Sequence, residues 1–101
     1  MVAEPTHNQR KKNAVPTLRP GLIGSASLTV ADEHTAPRIG SGRVRVLATP
    51  VMINLMEAAA LDAAEACLPE GHQSLGTRLD VSHIAATPVG IELLLVGQFD
   101  A

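Results

Sequence analysis

The stretch from Pro50 to Cys67, PVMINLMEAAALDAAEAC, carries so little polarity that it does not read as an ordinary surface helix. Alanine, leucine and methionine give it strong helical propensity. Thr49 supplies an N-cap residue and Pro50 a proline for the first helical position, while Pro69 and Gly71 stop the helix before Leu68. At about 100° per residue, with Asn54 as origin, Glu57, Glu65 and Asp62 fall near roughly −60°, +20° and +80°, a narrow and loose polar stripe. A helix of this kind is expected to be wrapped by a sheet.

The flanking segments supply the strands. Leu22, Gly24, Ala26, Leu28 and Val30 alternate with Ile23, Ser25, Ser27 and Thr29, which predicts a first strand with one core face. Residues 31–42 hold turn formers and no period, so they read as a long loop of the kind that is often functional in compact domains. Arg43 to Leu47 alternates as a short second strand. From Leu75 the period of two returns, with Leu75, Leu79, Val81, His83 and Ala85 on one face and Gly76, Arg78, Asp80 and Ser82 on the other. Thr87-Pro88-Val89-Gly90 reads as a turn before a fourth strand, Ile91 to Phe99, whose middle is apolar on both faces. The order strand, strand, helix, strand, strand is that of an α+β domain.

Composition narrows the function classes. A chain of 101 residues is one domain, and it holds a lone Phe99 with no Trp or Tyr, so it lacks the stacking platforms that bind bases. The net charge is −2, but Arg10, Lys11, Lys12 and Arg19 against Glu4 make the first twenty residues +3 and leave −5 for the rest. Met1 to Thr17 is read as a disordered N-terminal extension, and residues 18–101 as the domain. No apolar leader follows those charges and no stretch reaches the roughly 20 residues that span a bilayer, so a cytoplasmic protein without nucleic-acid or membrane partners is expected. Cys67 has no disulfide or metal partner by spacing and reads as a small buried hydrophobe. There is no phosphate-cradling glycine loop, no nucleophile elbow and no His/Cys metal cluster; neither cofactor nor metal is expected. His7, His34 and His72 read as solvated.

Three side chains stand apart. Strand alternation puts His83 on the apolar face with Leu79 and Val81, so it points inward or into an interface. Glu57 reads either as the edge of the solvated stripe or, packed closely beside Ala58, Ala59, Ala60 and Leu61, as a carboxyl with the raised pKa that a general base needs. Thr49 caps the helix, and if its hydroxyl instead faces Glu57 the two form a nucleophile or water-orienting group with its base.

The motifs Ala48-Thr49-Pro50, Leu55-Met56-Glu57, Ser74-Leu75-Gly76-Thr77 and His83-Ile84-Ala85-Ala86-Thr87-Pro88-Val89-Gly90 follow one another in the order and spacing of a known family. Over Leu18 to Gly90 the chain resembles the fluoroacetyl-CoA thioesterase-like proteins. The resemblance implies a hot-dog fold, an antiparallel sheet wrapped around a central helix and paired as a homodimer, and hydrolysis of an acyl-CoA thioester. In it, Glu57 is the base acting on Thr49 or a water, His83 the acid–base or polarising group, and Gly76 part of the substrate-facing turn. Contacts to coenzyme A would come from scattered residues such as Arg43, Arg45 or Arg78. Selectivity for the fluoroacetyl group is not expected, because Arg43 and Arg45 precede Thr49 where an apolar lid would be needed.

Members of that family run on through two more strands, so the segment is also readable as an inactive truncated fragment or a non-catalytic acyl-CoA-binding module. A fourth strand without neighbours would leave a sticky edge beside Leu93-Leu94-Leu95-Val96, and the chain alone would then be expected to aggregate or stay molten.

Overall fold

The computed structural model describes residues 18–100. The extension Met1 to Thr17 lies outside the described residues. Strand β1 (Ile23–Thr29) pairs antiparallel with β2 (Glu92–Gln98), from Ile23 opposite Gln98 to Thr29 opposite Glu92. Val30 continues the pairing, donating to the Ile91 carbonyl at 2.9 Å and accepting from Gly90 N–H at 2.8 Å. Gly90 has φ 93° in the turn that precedes β2, a conformation glycine adopts without strain. The fourth strand therefore has a neighbour along its whole length on one edge. Among the described residues, no strand pairs with its other edge.

Side chains of the two strands alternate between half-buried and exposed, as the pattern of two required. On the inner face Gly24 stands opposite Gly97, and the central helix (Thr49–Ala64) settles into the dip these two glycines leave. A Cβ on Gly24 would overlap the Ala63 amide nitrogen and the Ala59 carbonyl oxygen and would lie 2.8 Å from Ala63 Cα. Ala59 and Ala63 are the buried residues of the helix. The helix extends through a 3₁₀ turn (Glu65–Cys67) that buries Cys67. Asp62 accepts the Ser25 N–H at 2.9 Å, so a helix carboxylate satisfies an edge amide of β1.

Residues 31–42 are more ordered than a plain loop: a 3₁₀ turn (Asp32–His34) leads into a single helical turn (Ala36–Ile39). Short polar bonds hold the pair together, with the Thr35 hydroxyl donating to the Asp32 carbonyl at 2.7 Å. The expected strand at Arg43 to Leu47 does not form. Residues 43–45 are exposed bends, and only Val46 and Leu47 make single bridges, to Pro88 and Thr35 respectively. Those bridges face different neighbours, so no ladder can propagate.

The expected third strand is absent as well. Residues 72–84 run without regular structure, and residues 71–80 are all exposed. Alternation survives further on, where Val81, His83, Thr87 and Val89 are half-buried between exposed neighbours. With two paired strands among the described residues, the sheet covers the helix on one side and Leu61 stays exposed. On the outer face of the sheet Ile23, Leu94 and Val96 are 66%, 61% and 62% exposed.

The close approach at Gly24 predicts an asymmetric response to one added methyl. Gly24→Ala drives Cβ into helix backbone that has no rotamer to change, and should cost about 1–3 kcal/mol or more, lowering Tm by roughly 4–8 °C per kcal/mol in a domain this size. Gly97→Ala, whose Cβ would meet Ala59 at an ordinary 3.6 Å, should be near neutral. Thermal melts by circular dichroism measure both; equal effects would contradict the packing described.

Candidate active site

Three chain segments meet at the start of the central helix. Ala48 N–H donates to the His34 carbonyl at 2.9 Å, Ala36 N–H to Val46 at 2.9 Å, and Leu47 N–H to Thr87 at 2.8 Å. Val30, Thr35, Ala36, Leu47 and Ala48 are buried where these segments cross. The stretch 83–88 is thereby held alongside 46–49, which delivers His83 to the helix.

Thr49 is not the N-cap. Ala48 occupies that position with φ −70° and ψ 139°, no side chain caps the helix, and Thr49 is its first residue. The helix begins one residue earlier than Pro50 suggests, and the threonine side chain is released from capping. Its Oγ1 lies 2.7 Å from His83 Nδ1. Whether hydroxyl or ring nitrogen donates depends on the tautomer; with the proton on Nε2, Nδ1 accepts from the Thr49 hydroxyl.

Glu57 does not join them. It lies eight residues along the same helix, roughly 12 Å in axial rise, and its exposed carboxylate turns toward the extended segment, where a Cβ on Gly76 would lie 2.8 Å from Oε2. The structure thus brings together Thr49 with His83 and, separately, Glu57 with Gly76. Neither pairing could be read from helix or strand periodicity, because each joins segments far apart in sequence.

An open cavity of about 330 Å³ has Thr49 and His83 in its lining, with Ala36, Val46, Leu47 and Ile84 giving it an apolar character and Arg43 also lining it. Nearby, Asp32 holds both Arg38, at 3.0 Å, and Arg45, at 3.2 Å. Of the three arginines suggested as coenzyme A contacts, Arg43 lines the cavity, Arg45 is paired with Asp32, and Arg78 lies in the exposed segment away from it. His34, expected to be solvated, is half-buried, and its Nδ1 accepts the Ala31 N–H at 2.9 Å. His72 is exposed. No group of three potential metal ligands occurs among the described residues, and no helix among them is long and apolar enough to cross a membrane.

Residues 30–100 match the family model described as fluoroacetyl-CoA-specific thioesterase. The chain is 42% identical over 53 residues to the fluoroacetyl-CoA thioesterase of Streptantibioticus cattleyicolor, a match covering 52% of this chain and 38% of that protein. A solved structure of the fluoroacetyl-CoA thioesterase FlK superposes with a TM-score of 0.72 at 30% identity, over 80% of this chain and 64% of FlK. A mutant of FlK in complex with fluoroacetate and CoA gives a TM-score of 0.69 at 30% identity, over 80% of this chain and 70% of the other. The chain thus spans less than two thirds of the first of these structures and well under half of the curated relative. Its helix on an antiparallel sheet is part of an α+β hot-dog fold.

The Thr49–His83 bond is exposed to solvent, so water can replace much of what it contributes. Thr49→Val should leave helix content intact, cost no more than about 1 kcal/mol in urea unfolding, and move the His83 Nδ1 resonance in nitrogen NMR. An unmoved resonance would mean that the two side chains do not meet in solution.

Proposed function

The chain belongs to the fluoroacetyl-CoA-specific thioesterase family, and from that premise we propose that it hydrolyses a short-chain acyl-coenzyme A thioester. The observation that carries this reading is the 2.7 Å contact between the Thr49 hydroxyl and His83 Nδ1 in the lining of an apolar cavity. A hydroxyl bonded to an imidazole is the minimum needed to generate an oxygen nucleophile near neutral pH, either the threonine itself or a water in its place. His83 takes the proton as the carbonyl is attacked. The Thr49 N–H, first in the helix and without a backbone acceptor among the described residues, is available to the developing oxyanion. The C–S bond then breaks and coenzyme A leaves as a thiolate that regains the proton; where Thr49 is the nucleophile the acyl group is left on its oxygen, and a water that gives its proton to His83 then hydrolyses that ester and restores the hydroxyl.

Glu57 stands apart from this pair, outside the cavity lining, and enters the scheme as a second base on the family resemblance, with Gly76 leaving room for its carboxylate. A homodimer completes the proposal: the edge of β2 that is unpaired among the described residues and the exposed Ile23, Leu94 and Val96 offer a surface for a second copy, in place of uncontrolled association. One observation favours a second reading. Glu57 bonds to neither Thr49 nor His83, as would suit a module that binds acyl-CoA without cleaving it or an inactive fragment of an enzyme.

Release of thiol from acetyl- and butyryl-CoA separates these readings. His83→Ala and Glu57→Gln should each lower kcat/KM by roughly 10²–10⁴-fold, the usual worth of an acid–base group, with Tm little changed. Gly76→Ala, which crowds the Glu57 carboxylate, should lower turnover without lowering Tm. Wild-type turnover in His83→Ala would remove the histidine from the chemistry. Binding of acyl-CoA with no thiol release by the wild type would establish the module; neither binding nor release, the inactive fragment.

A further inference from the structure

Three arginines gather around the segment that precedes the central helix, and two of them share the one carboxylate of Asp32. Asp32 pairs with Arg38 through one carboxylate oxygen and with Arg45 through the other. Arg43 has no ion pair or hydrogen bond among the described residues, yet it lines the same cavity as Thr49 and His83. Both Asp32 oxygens are engaged by those two arginines, and Arg43 contacts neither. Most of the other lining side chains, Ala36, Val46, Leu47 and Ile84 among them, are aliphatic and offer no acceptor.

A lone guanidinium beside an aliphatic lining suits a ligand that is apolar along its length and ends in a planar anion, which the fork of N–H groups can grip at two points. We propose that the acyl group of the substrate is that of a dicarboxylic acid, held at its far carboxylate by Arg43. The inference rests on the hydrolase reading above and specifies its substrate class. The phosphates of coenzyme A are the other anions such a ligand carries, but the full pantetheine arm separates them from the thioester. Arg43 and Thr49 share one cavity of about 330 Å³. With the thioester carbonyl at Thr49, the anion that reaches Arg43 is therefore on the acyl side. In the reaction, water oxygen bonds to the acyl carbon, the C–S bond breaks, and sulfur departs with a proton as coenzyme A thiol. A dicarboxylate is released. Arg43 takes no part in these bond changes and acts only through binding.

The test compares kcat/KM of the 101-residue chain for succinyl-CoA and butyryl-CoA, which have four-carbon acyl groups ending in a carboxylate and a methyl. A preference for succinyl-CoA of roughly 10–100-fold is expected, the value of one charge-assisted hydrogen-bonded pair, and Arg43→Leu should abolish it. Arg45→Gln, already paired with Asp32, should leave the ratio as it was. Equal rates on both substrates, or a ratio untouched by Arg43→Leu, would overturn the inference and leave the hydrolase reading standing. Calorimetric titration with the uncleavable thioethers S-(3-carboxypropyl)-CoA and S-butyl-CoA covers the case of no turnover. Tighter binding of the carboxylate, lost in Arg43→Leu, would uphold the anion site while hydrolysis failed. Weaker binding of both thioethers alike in Arg43→Leu would assign the arginine to the coenzyme A phosphates and refute the proposal, as would failure of the wild type to bind either.

Discussion

The contact of helix backbone with strand backbone at Gly24 is the constraint on which the rest depends. Only a residue without Cβ can sit beneath the Ala59 carbonyl and the Ala63 amide, and only small residues on the helix let the two backbones come so near. A chain with one aromatic side chain cannot fill a wide gap between layers, so it closes the gap instead. That closure fixes the helix on β1 and, through Asp62 and the Ser25 N–H, fixes it at the strand edge as well.

Once the helix is placed, its first residue is placed. The segments 34–36, 46–48 and 87–88 then cross at that end, linked by a few backbone bonds and by the buried side chains of Thr35, Leu47 and Ala48. Val30, itself buried, ties this crossing to the sheet. The Thr49–His83 contact is therefore the product of two scaffolds, a packed helix on one side and a bridged extended segment on the other. Its neighbour Arg43 comes from the exposed bends between them, where a side chain can meet a ligand at little cost to the fold.

The helix and the two outer strands were legible because each writes its packing into local periodicity, and the hot-dog architecture followed from motifs in a fixed order. What periodicity does not encode is the partner. Leu75 to Ala85 alternates as a strand, and the half-burial of Val81 and His83 keeps that alternation, yet no ladder forms among the described residues. Arg43 to Leu47 failed for a related reason: two consecutive residues bridge to different neighbours. The N-cap was misread by one position since Ala48, with no capping side chain, adopts the backbone of a cap. A glycine inside β1 was the available signal for the close approach at Gly24, glycine in a strand often marking one. Thr49, Glu57, His83 and Gly76 were named together from the motifs; that Thr49 meets His83 and Glu57 meets Gly76 required the tertiary structure.

The central claim is that Thr49 and His83 act as one unit on a thioester. A double-mutant cycle on kcat/KM for a short acyl-CoA, with Thr49→Val, His83→Ala and the combined variant, tests it most directly. Residues that share one proton transfer lose their joint contribution once, so the double variant should be no slower than the worse single variant, within a few-fold. Losses that multiply would show that the two side chains act independently, and the 2.7 Å contact would then have no catalytic meaning.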